Sequence, residues 1–236
     1  KGNPILMRMR RKKHGAERIA ACSAILIEQN AAETVVPSVF FPVSRPLHLE
    51  IGCGKGDFAV GMAAKHPDCN FIAMERVPDV ACIALEKAMG AKDTRPDNLR
   101  FLIGDAQTLS DRFLPHSVER IYLNFSDPWP KKGYAKRRLT HRGFLDKYCR
   151  TVKEGGQIHF KTDNAPLFEF SLEEFAYCDL EMRNVTRNLH ENGPVGIMTD
   201  YEEKFHALGT PINRCEIVCK PFILPPVEKK TEEEEV

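Results

Sequence analysis

The sequence predicts a single-domain α/β protein built on a doubly wound, mostly parallel sheet. Strand-like and helix-like stretches alternate along the chain, the first strand runs through a glycine-rich turn into a helix, and the polar motifs fall at the carboxyl ends of strands. The first strand is Leu47-His48-Leu49-Glu50-Ile51, entered from Pro46 and ended by Gly52-Cys53-Gly54-Lys55-Gly56; Asp57 then opens a helical stretch through Phe58, Val60 and Ala64. Residues 70–75 make a second strand, followed by a helical period through Val80, Ile83, Ala84 and Lys87. Residues 99–103 make a third, closed by Gly104-Asp105-Ala106, and 118–125 a fourth, closed by Ser126-Asp127-Pro128-Trp129-Pro130. Phe144, Leu145, Tyr148 and Val152 recur at helical spacing, and Glu154-Gly155-Gly156 turns the chain into a fifth strand over 157–161. Residues 165–177 are helical again, while 180–188 and 215–220 complete the strands.

At 236 residues, with 42% hydrophobic and 28% charged residues, the chain is long and apolar enough to bury one core, which excludes disordered, collagen-like and disulfide-stapled classes. No run of about 18 apolar residues occurs, and the N-terminal stretch is basic rather than apolar, so a cytoplasmic protein with no membrane segment is expected. The eight cysteines are spaced singly, without a C-x-x-C pair, and read as reduced, small buried hydrophobes; no metal site is expected.

The net charge of +1 hides two basic segments. Arg8, Arg10, Arg11, Lys12, Lys13 and Arg18 face one acid, Glu17; Lys131, Lys132, Lys136, Arg137, Arg138 and Arg142 have no acid among them. A glutamate-rich end offsets part of this excess in the sum. The expected organisation is a partly flexible basic arm or helix over 1–30, the catalytic domain over 31–222 and an acidic disordered tail over 223–236. A polyanionic partner suits this distribution, and either a monomer or a homodimer is compatible with it.

In doubly wound sheets ligands bind outside the carboxyl ends of the strands. The turn here is G-x-G-x-G (Gly52, Gly54, Gly56), whereas dinucleotide binding uses G-x-G-x-x-G, and Glu50 and Asp57 would repel a pyrophosphate. S-adenosyl-L-methionine, with its sulfonium and ammonium, suits these acids better. The glycines admit its amino-acid part, Glu75 can accept both ribose hydroxyls, and Asp105 can meet the adenine amino group. At the fourth strand end Pro128 and Pro130 stiffen a loop carrying Asp127 and the single tryptophan, Trp129. This loop resembles the Asp/Asn-Pro-Pro-aromatic loops of methyltransferases acting on amino nitrogens, and the basic run after it is placed to hold phosphates. A base in a nucleic acid is the substrate this combination suggests.

Leu49-Glu50-Ile51-Gly52-x-Gly54, Glu75, Gly104-Asp105-Ala106, Asp127-Pro128-Trp129-Pro130-Lys131, His159-Phe160-Lys161-Thr162-Asp163 and Thr199-Asp200-Tyr201-Glu202 together closely resemble the bacterial tRNA (guanine-N7)-methyltransferase family. The resemblance runs from about residue 8 to about residue 221 and implies the class I methyltransferase fold. It also implies that Glu50, Glu75, Asp105 and Asp127 contact S-adenosylmethionine, with Asp127 catalytic. Lys131, Asp163, Thr199, Asp200, Tyr201 and Glu202 would then bind the tRNA at a guanine of its variable loop, with Trp129, Lys132, Arg137 and Arg138 as further candidates. Ser126 stands where the family usually has proline.

Guanine N7 carries a free lone pair and no proton, so this chemistry needs positioning and electrostatics rather than a general base. Asp127 is placed to stabilise the charge developing on the ring. Asp163 or Glu202 would accept from guanine N1–H and the 2-amino group, which excludes adenine. The alternative substrate is another nucleic-acid base or a small heterocycle. A nicotinamide-dependent dehydrogenase is disfavoured by the turn, and a non-catalytic RNA-binding module leaves the strand-end acids without a role.

Overall fold

Each central strand alternates two kinds of side chain, and this alternation sorts the molecule into layers. The computed structural model describes residues 13–27, 33–90 and 97–221. In chain order the elements are α1 (Gly15–Ala20), α2 (Pro37–Phe40), β1 (Leu47–Ile51), α3 (Asp57–Lys65), β2 (Asn70–Glu75), α4 (Pro78–Gly90), β3 (Leu99–Ile103), α5 (Leu109–Arg112) and β4 (Val118–Asn124). They continue with α6 (Arg142–Thr151), β5 (Val152–Thr162), α7 (Ala165–Tyr177), β6 (Glu181–Thr186), α8 (Asp200–Ala207) and β7 (Asn213–Val218). The seven strands form one sheet in the order β3-β2-β1-β4-β5-β7-β6. β1 to β5 pair in parallel, and β7 runs antiparallel between β5 and β6. The order reverses between β1 and β4, so the crevice expected of such a sheet opens at the carboxyl ends of these two strands.

Leu49, Ile121, Leu123, Ile158 and Phe160 point to the face covered by α5, α6 and α7, in a core with Leu109, Leu145, Tyr148, Phe168 and Phe175. The opposite face is covered over β1, β2 and β3 by α3 and α4, where Phe58, Met62 and Leu85 pack against Phe71, Phe101 and Tyr122. Phe160 is fully buried; truncation to alanine is expected to cost about 3–5 kcal/mol.

Helix starts follow local chemistry. Asn164 caps α7 by accepting from Leu167 N–H at 2.8 Å, and His141 Nδ1 caps α6 by accepting from Gly143 N–H at 3.0 Å. At α8 Thr199 and Glu202 form a reciprocal capping box.

Several expectations are corrected. The turn read at Glu154-Gly155-Gly156 lies inside β5, where Gly155 has φ +76° and the pairing with β4 shifts register between Val118 and Arg120. The basic arm is partly built into the body: Arg18 makes a two-pronged pair with Glu86 of α4, both contacts at 2.6 Å, and Cys22, Ile25 and Ile27 are buried. The packed domain therefore begins before residue 31. Arg8, Arg10, Arg11 and Lys12 and the acidic tail over 223–236 lie outside the described residues. Among the described residues no helix is long and apolar enough to cross a membrane.

Candidate active site at the switch point

Gly52, Gly54 and Gly56 adopt φ of 76°, 57° and 82°, a region side chains rarely tolerate, which is why the β1–α3 turn is built from glycine. The N–H groups of Gly52 and Cys53 both donate to the Met74 carbonyl, at 2.8 and 3.0 Å, and Gly54 N–H donates to Glu75 Oε2 at 3.1 Å. The turn thus fastens the end of β1 to the end of β2.

Two contiguous clefts open around it, with Gly52 and Phe125 lining both. The first, of about 270 Å³, lies between Glu50, the glycine turn and the start of α8. The second, of about 590 Å³, is lined by Glu75, Asp105, Asp127 and Trp129. Glu50 Oε1 accepts from Asn124 Nδ2 at 2.9 Å, while Oε2 is buried with no hydrogen-bond partner among the described residues. Burial pushes this carboxyl up to about 7, against the opposing pull of Asn124 and the Lys161 charge. Burial likewise raises Glu75, although Val77 N–H donates to Oε1 at 2.9 Å and Gly54 N–H to Oε2. Asp105 caps a short 3-10 turn by accepting from Gln107 N–H at 2.9 Å, and its other oxygen lies 3.9 Å from Arg76.

This donor set fits S-adenosylmethionine. An orphaned buried carboxylate oxygen beside a glycine backbone suits an ammonium. Glu75 and Asp105, each half-buried, retain acceptor capacity for ribose hydroxyls and an exocyclic amine.

Asp127 is exposed in the second cleft on a loop held under backbone strain. Phe125 (φ +51°) and Trp129 (φ +41°) bracket it in left-handed conformations unusual for bulky residues. Arg138 holds the loop from behind, its Nε donating to the Pro128 carbonyl at 3.0 Å and its second amino nitrogen to the Trp129 carbonyl at 3.0 Å. Its place is therefore as a clamp rather than a free phosphate contact. Arg142 is likewise committed, in a two-pronged pair with Glu174 of α7, so the acid missing from the basic run in sequence is supplied in space. Lys131, Lys132, Lys136 and Arg137 remain exposed and make no ion pair among the described residues. The Arg137 guanidinium lies 5.0 Å from the Trp129 ring and 4.7 Å from Tyr134, a cation between two aromatic rings at the cleft edge.

The α8 segment divides by role. Asp200 and Tyr201 are exposed at the first cleft, and the Tyr201 hydroxyl donates to Asp163 Oδ2 at 3.2 Å. Tyr201 also lies 5.2 Å from the Phe125 ring. Glu202 does not face the cleft, and its expected contact with the base is corrected: the residue is completely buried, Oε2 accepting from Lys161 Nζ at 2.6 Å and Oε1 facing His190 Nε2 at 2.9 Å. Val195 N–H donates to His190 Nδ1 at 3.1 Å, which leaves the ring proton on Nε2, aimed at Glu202. Thr199 is spent on the helix cap. Asp57, read as a charge against pyrophosphate, is paired with Lys87 of α4. Cys53 is buried and its thiol pushed well up by that burial, so it is an inert packing group. Lys161, which stands in the quoted His159-to-Asp163 motif without a role of its own, completes the site together with Asn124, His190 and Tyr134; of these three only Asn124, polar at the end of an apolar strand, gives a local signal.

The strand order, the glycine turn at the switch point and the acids beyond it define a class I S-adenosylmethionine-dependent methyltransferase. Among solved structures, the 16S rRNA methyltransferase KamB matches with TM-score 0.60 at 13% identity, over 78% of this chain and 92% of that one. An antibiotic-related methyltransferase matches with TM-score 0.57 at 14% identity, over 83% and 99%. A family described as "Putative methyltransferase" matches residues 44–215. The tRNA (guanine-N(7)-)-methyltransferase of Bacillus subtilis (strain 168) is 46% identical over 212 residues, covering 89% of this chain and 98% of the relative. The protein of that name from Exiguobacterium sp. is 43% identical over 216 residues, covering 91% and 99%. The chain belongs to the tRNA (guanine-N7)-methyltransferase family.

Proposed function

We propose that this protein methylates N7 of a guanine in the variable loop of tRNA, using S-adenosyl-L-methionine. The observation that carries this reading is the Asp127 loop: it shares a crevice with Glu75 and Asp105 and continues directly into four exposed cations that make no ion pair among the described residues, Lys131, Lys132, Lys136 and Arg137. Relatives of that name at over 40% identity along nearly their whole length support it.

The cofactor supplies an electrophilic methyl group. Glu50 would hold its ammonium, Glu75 its ribose and Asp105 its adenine. The acceptor nitrogen has no proton to lose, so Asp127 acts by charge: a carboxylate fixed beside the ring stabilises the cation the ring becomes. Its loop is rigid through Pro128, Pro130 and the Arg138 clamp, and in-line alignment of nitrogen and methyl contributes several kcal/mol, on the order of what oriented intramolecular reactions achieve. Asp163, which accepts from the Tyr201 hydroxyl at 3.2 Å, would accept from guanine N1–H and the 2-amino group. Trp129 and Arg137 offer a stacking surface for a base turned out of its helix.

The test is methyl transfer to bulk unmodified tRNA followed by nucleoside analysis and mapping. 7-Methylguanosine in the variable loop is expected. A different methylated nucleoside would leave the enzyme class standing and overturn the substrate.

A further inference from the structure

Central parallel strands are ordinarily apolar on both faces because helices cover both. Here the face of β4 and β5 turned away from α6 and α7 is polar. Paired registers place His48, Arg120 and Gln157 in one row across β1, β4 and β5, then Tyr122, His159 and Glu216 across β4, β5 and β7, then Asn124, Lys161 and Arg214. α3 does not cover the whole stretch: it reaches Tyr122, where Phe58 packs edge-on with ring centroids 5.0 Å apart, but leaves Arg120, His159 and Arg214 lining a groove. The segment at Val195, Gly196 and Ile197 closes over its edge, and α3 borders it with Gly61, where a Cβ would come within 2.8 Å of Ile197 Cγ2. Between them lies a groove of about 200 Å³.

The groove is rich in cations: Lys65, Arg120, Lys161 and Arg214 line it, with His66 and His159. Two of these are answered. Lys161 pairs with Glu202, and Arg214 pairs with Glu216, which also accepts from Asn184 Nδ2 at 2.5 Å. Arg120 has no ion pair among the described residues, and its Nε is buried without a hydrogen-bond partner. Lys65, in the last turn of α3, is exposed and equally free of an acid among the described residues. An orphaned, desolvated guanidinium N–H is costly unless something binds there, and guanidinium is suited to phosphate oxygens.

We propose that this groove is a phosphate-binding subsite, formed around Arg120 and Lys65, that holds a backbone phosphate of the RNA substrate. It rests on the reading of tRNA as substrate. Asn124 lines both this groove and the cofactor cleft, so a strand entering the crevice passes beside it. Burial and then the charges of Arg120 and Arg214 push the His159 imidazole down to about 3, consistent with an uncompensated positive potential in the groove. His159 Nε2 is engaged by Gln157 Oε1 at 2.9 Å, so the anion's partners are the guanidinium and the ammonium rather than this ring.

The experiment measures binding of unmodified tRNA to the full chain and to Arg120→Gln and Lys65→Gln across a salt series. Inorganic phosphate is titrated in parallel, and S-adenosylmethionine affinity and thermal melting serve as controls. Each variant is expected to bind tRNA about threefold or more weakly and to flatten the dependence of log K on log salt by about one phosphate contact, with cofactor affinity unchanged. Lys65→Gln alters an exposed side chain and keeps the test decisive if Arg120→Gln fails to melt cooperatively. Wild-type tRNA affinity in the variants, with inorganic phosphate still bound by wild type and lost from Arg120→Gln, would overturn the RNA assignment in favour of a free phosphate. No effect on either ligand would overturn the subsite. If bulk tRNA is not methylated at guanine N7, the substrate reading falls instead; if it is and the variants bind both ligands like wild type, only the subsite falls.

Discussion

Lys161 Nζ lies 2.6 Å from Glu202 Oε2, with Glu202 completely buried and Lys161 nearly so, and this ion pair joins the end of β5 to the first turn of α8, with His190 on the second carboxylate oxygen. The pair positions the segment that presents Asp200 and Tyr201 to the cofactor cleft. Burial depresses the Lys161 ammonium, and the Glu202 charge opposes that depression.

Lys161→Met leaves Glu202 buried and uncompensated, and is expected to lower stability by about 3–5 kcal/mol. The double variant Lys161→Met/Glu202→Leu should recover only part of that loss: the two apolar groups need no partner, but His190 Nε2 loses its acceptor and α8 half of its capping box. Chemical denaturation of the four proteins of this cycle measures the coupling. Additive effects would show that the two residues do not act as a pair.

Glu50 predicts an opposition between stability and binding. Its native carboxyl titrates near 7, above the unfolded value of 4.5, so between those values the native state holds the proton more tightly. Stability without cofactor is therefore lost as pH rises through this window, about 3 kcal/mol in all. Glu50→Gln should remove that slope and be more stable than wild type at pH 8, while binding S-adenosylmethionine about tenfold or more weakly. In wild type the same affinity should weaken as pH falls below about 7, where Glu50 loses its charge. Thermal melts and calorimetry at a series of pH values check both; a flat stability profile in wild type would contradict the assignment.

Arg138 separates a clamp from a phosphate contact. Arg138→Ala frees the carbonyls of Pro128 and Trp129 and loosens the loop carrying Asp127. The turnover rate should fall by about 10- to 100-fold, the size expected for misplacing a reacting group by about 1 Å, with tRNA affinity and its salt dependence nearly unchanged. A loss of tRNA affinity at constant turnover would return Arg138 to the phosphate-contact role.

What the sequence revealed, and what it hid, follows from the range of the interactions. Gly52, Gly54, Gly56, Glu75, Asp105 and Asp127 were legible because a strand, its turn and the residue closing it are neighbours in the chain, and the sheet's topology gathers such ends. Glu202 was misread because its partners, Lys161 and His190, lie 41 and 12 residues away and a short motif says nothing of which way its acid points. Arg142 was counted as free because Glu174 is 32 residues distant. The polar face is open to reading: Arg120, Tyr122 and Asn124 alternate with Ile121 and Leu123, a pattern of one polar face that departs from a strand apolar on both sides. Gly155 inside β5 reads as a turn in sequence because a bulge and a turn share the same residue type.

In the proposed function, acids at one edge of the sheet divide the work: Glu50, Glu75 and Asp105 would receive the methyl donor and Asp127 would serve the purine. Single-turnover methyl transfer to unmodified tRNA by Asp127→Ala, measured beside S-adenosylmethionine affinity on the same preparation, tests this most directly. The rate should drop by about a hundredfold or more, the size of losing one preorganised electrostatic group, while cofactor affinity stays within a few-fold of wild type. Loss of cofactor affinity in proportion to the rate would contradict it and make Asp127 one more residue of the cofactor cleft.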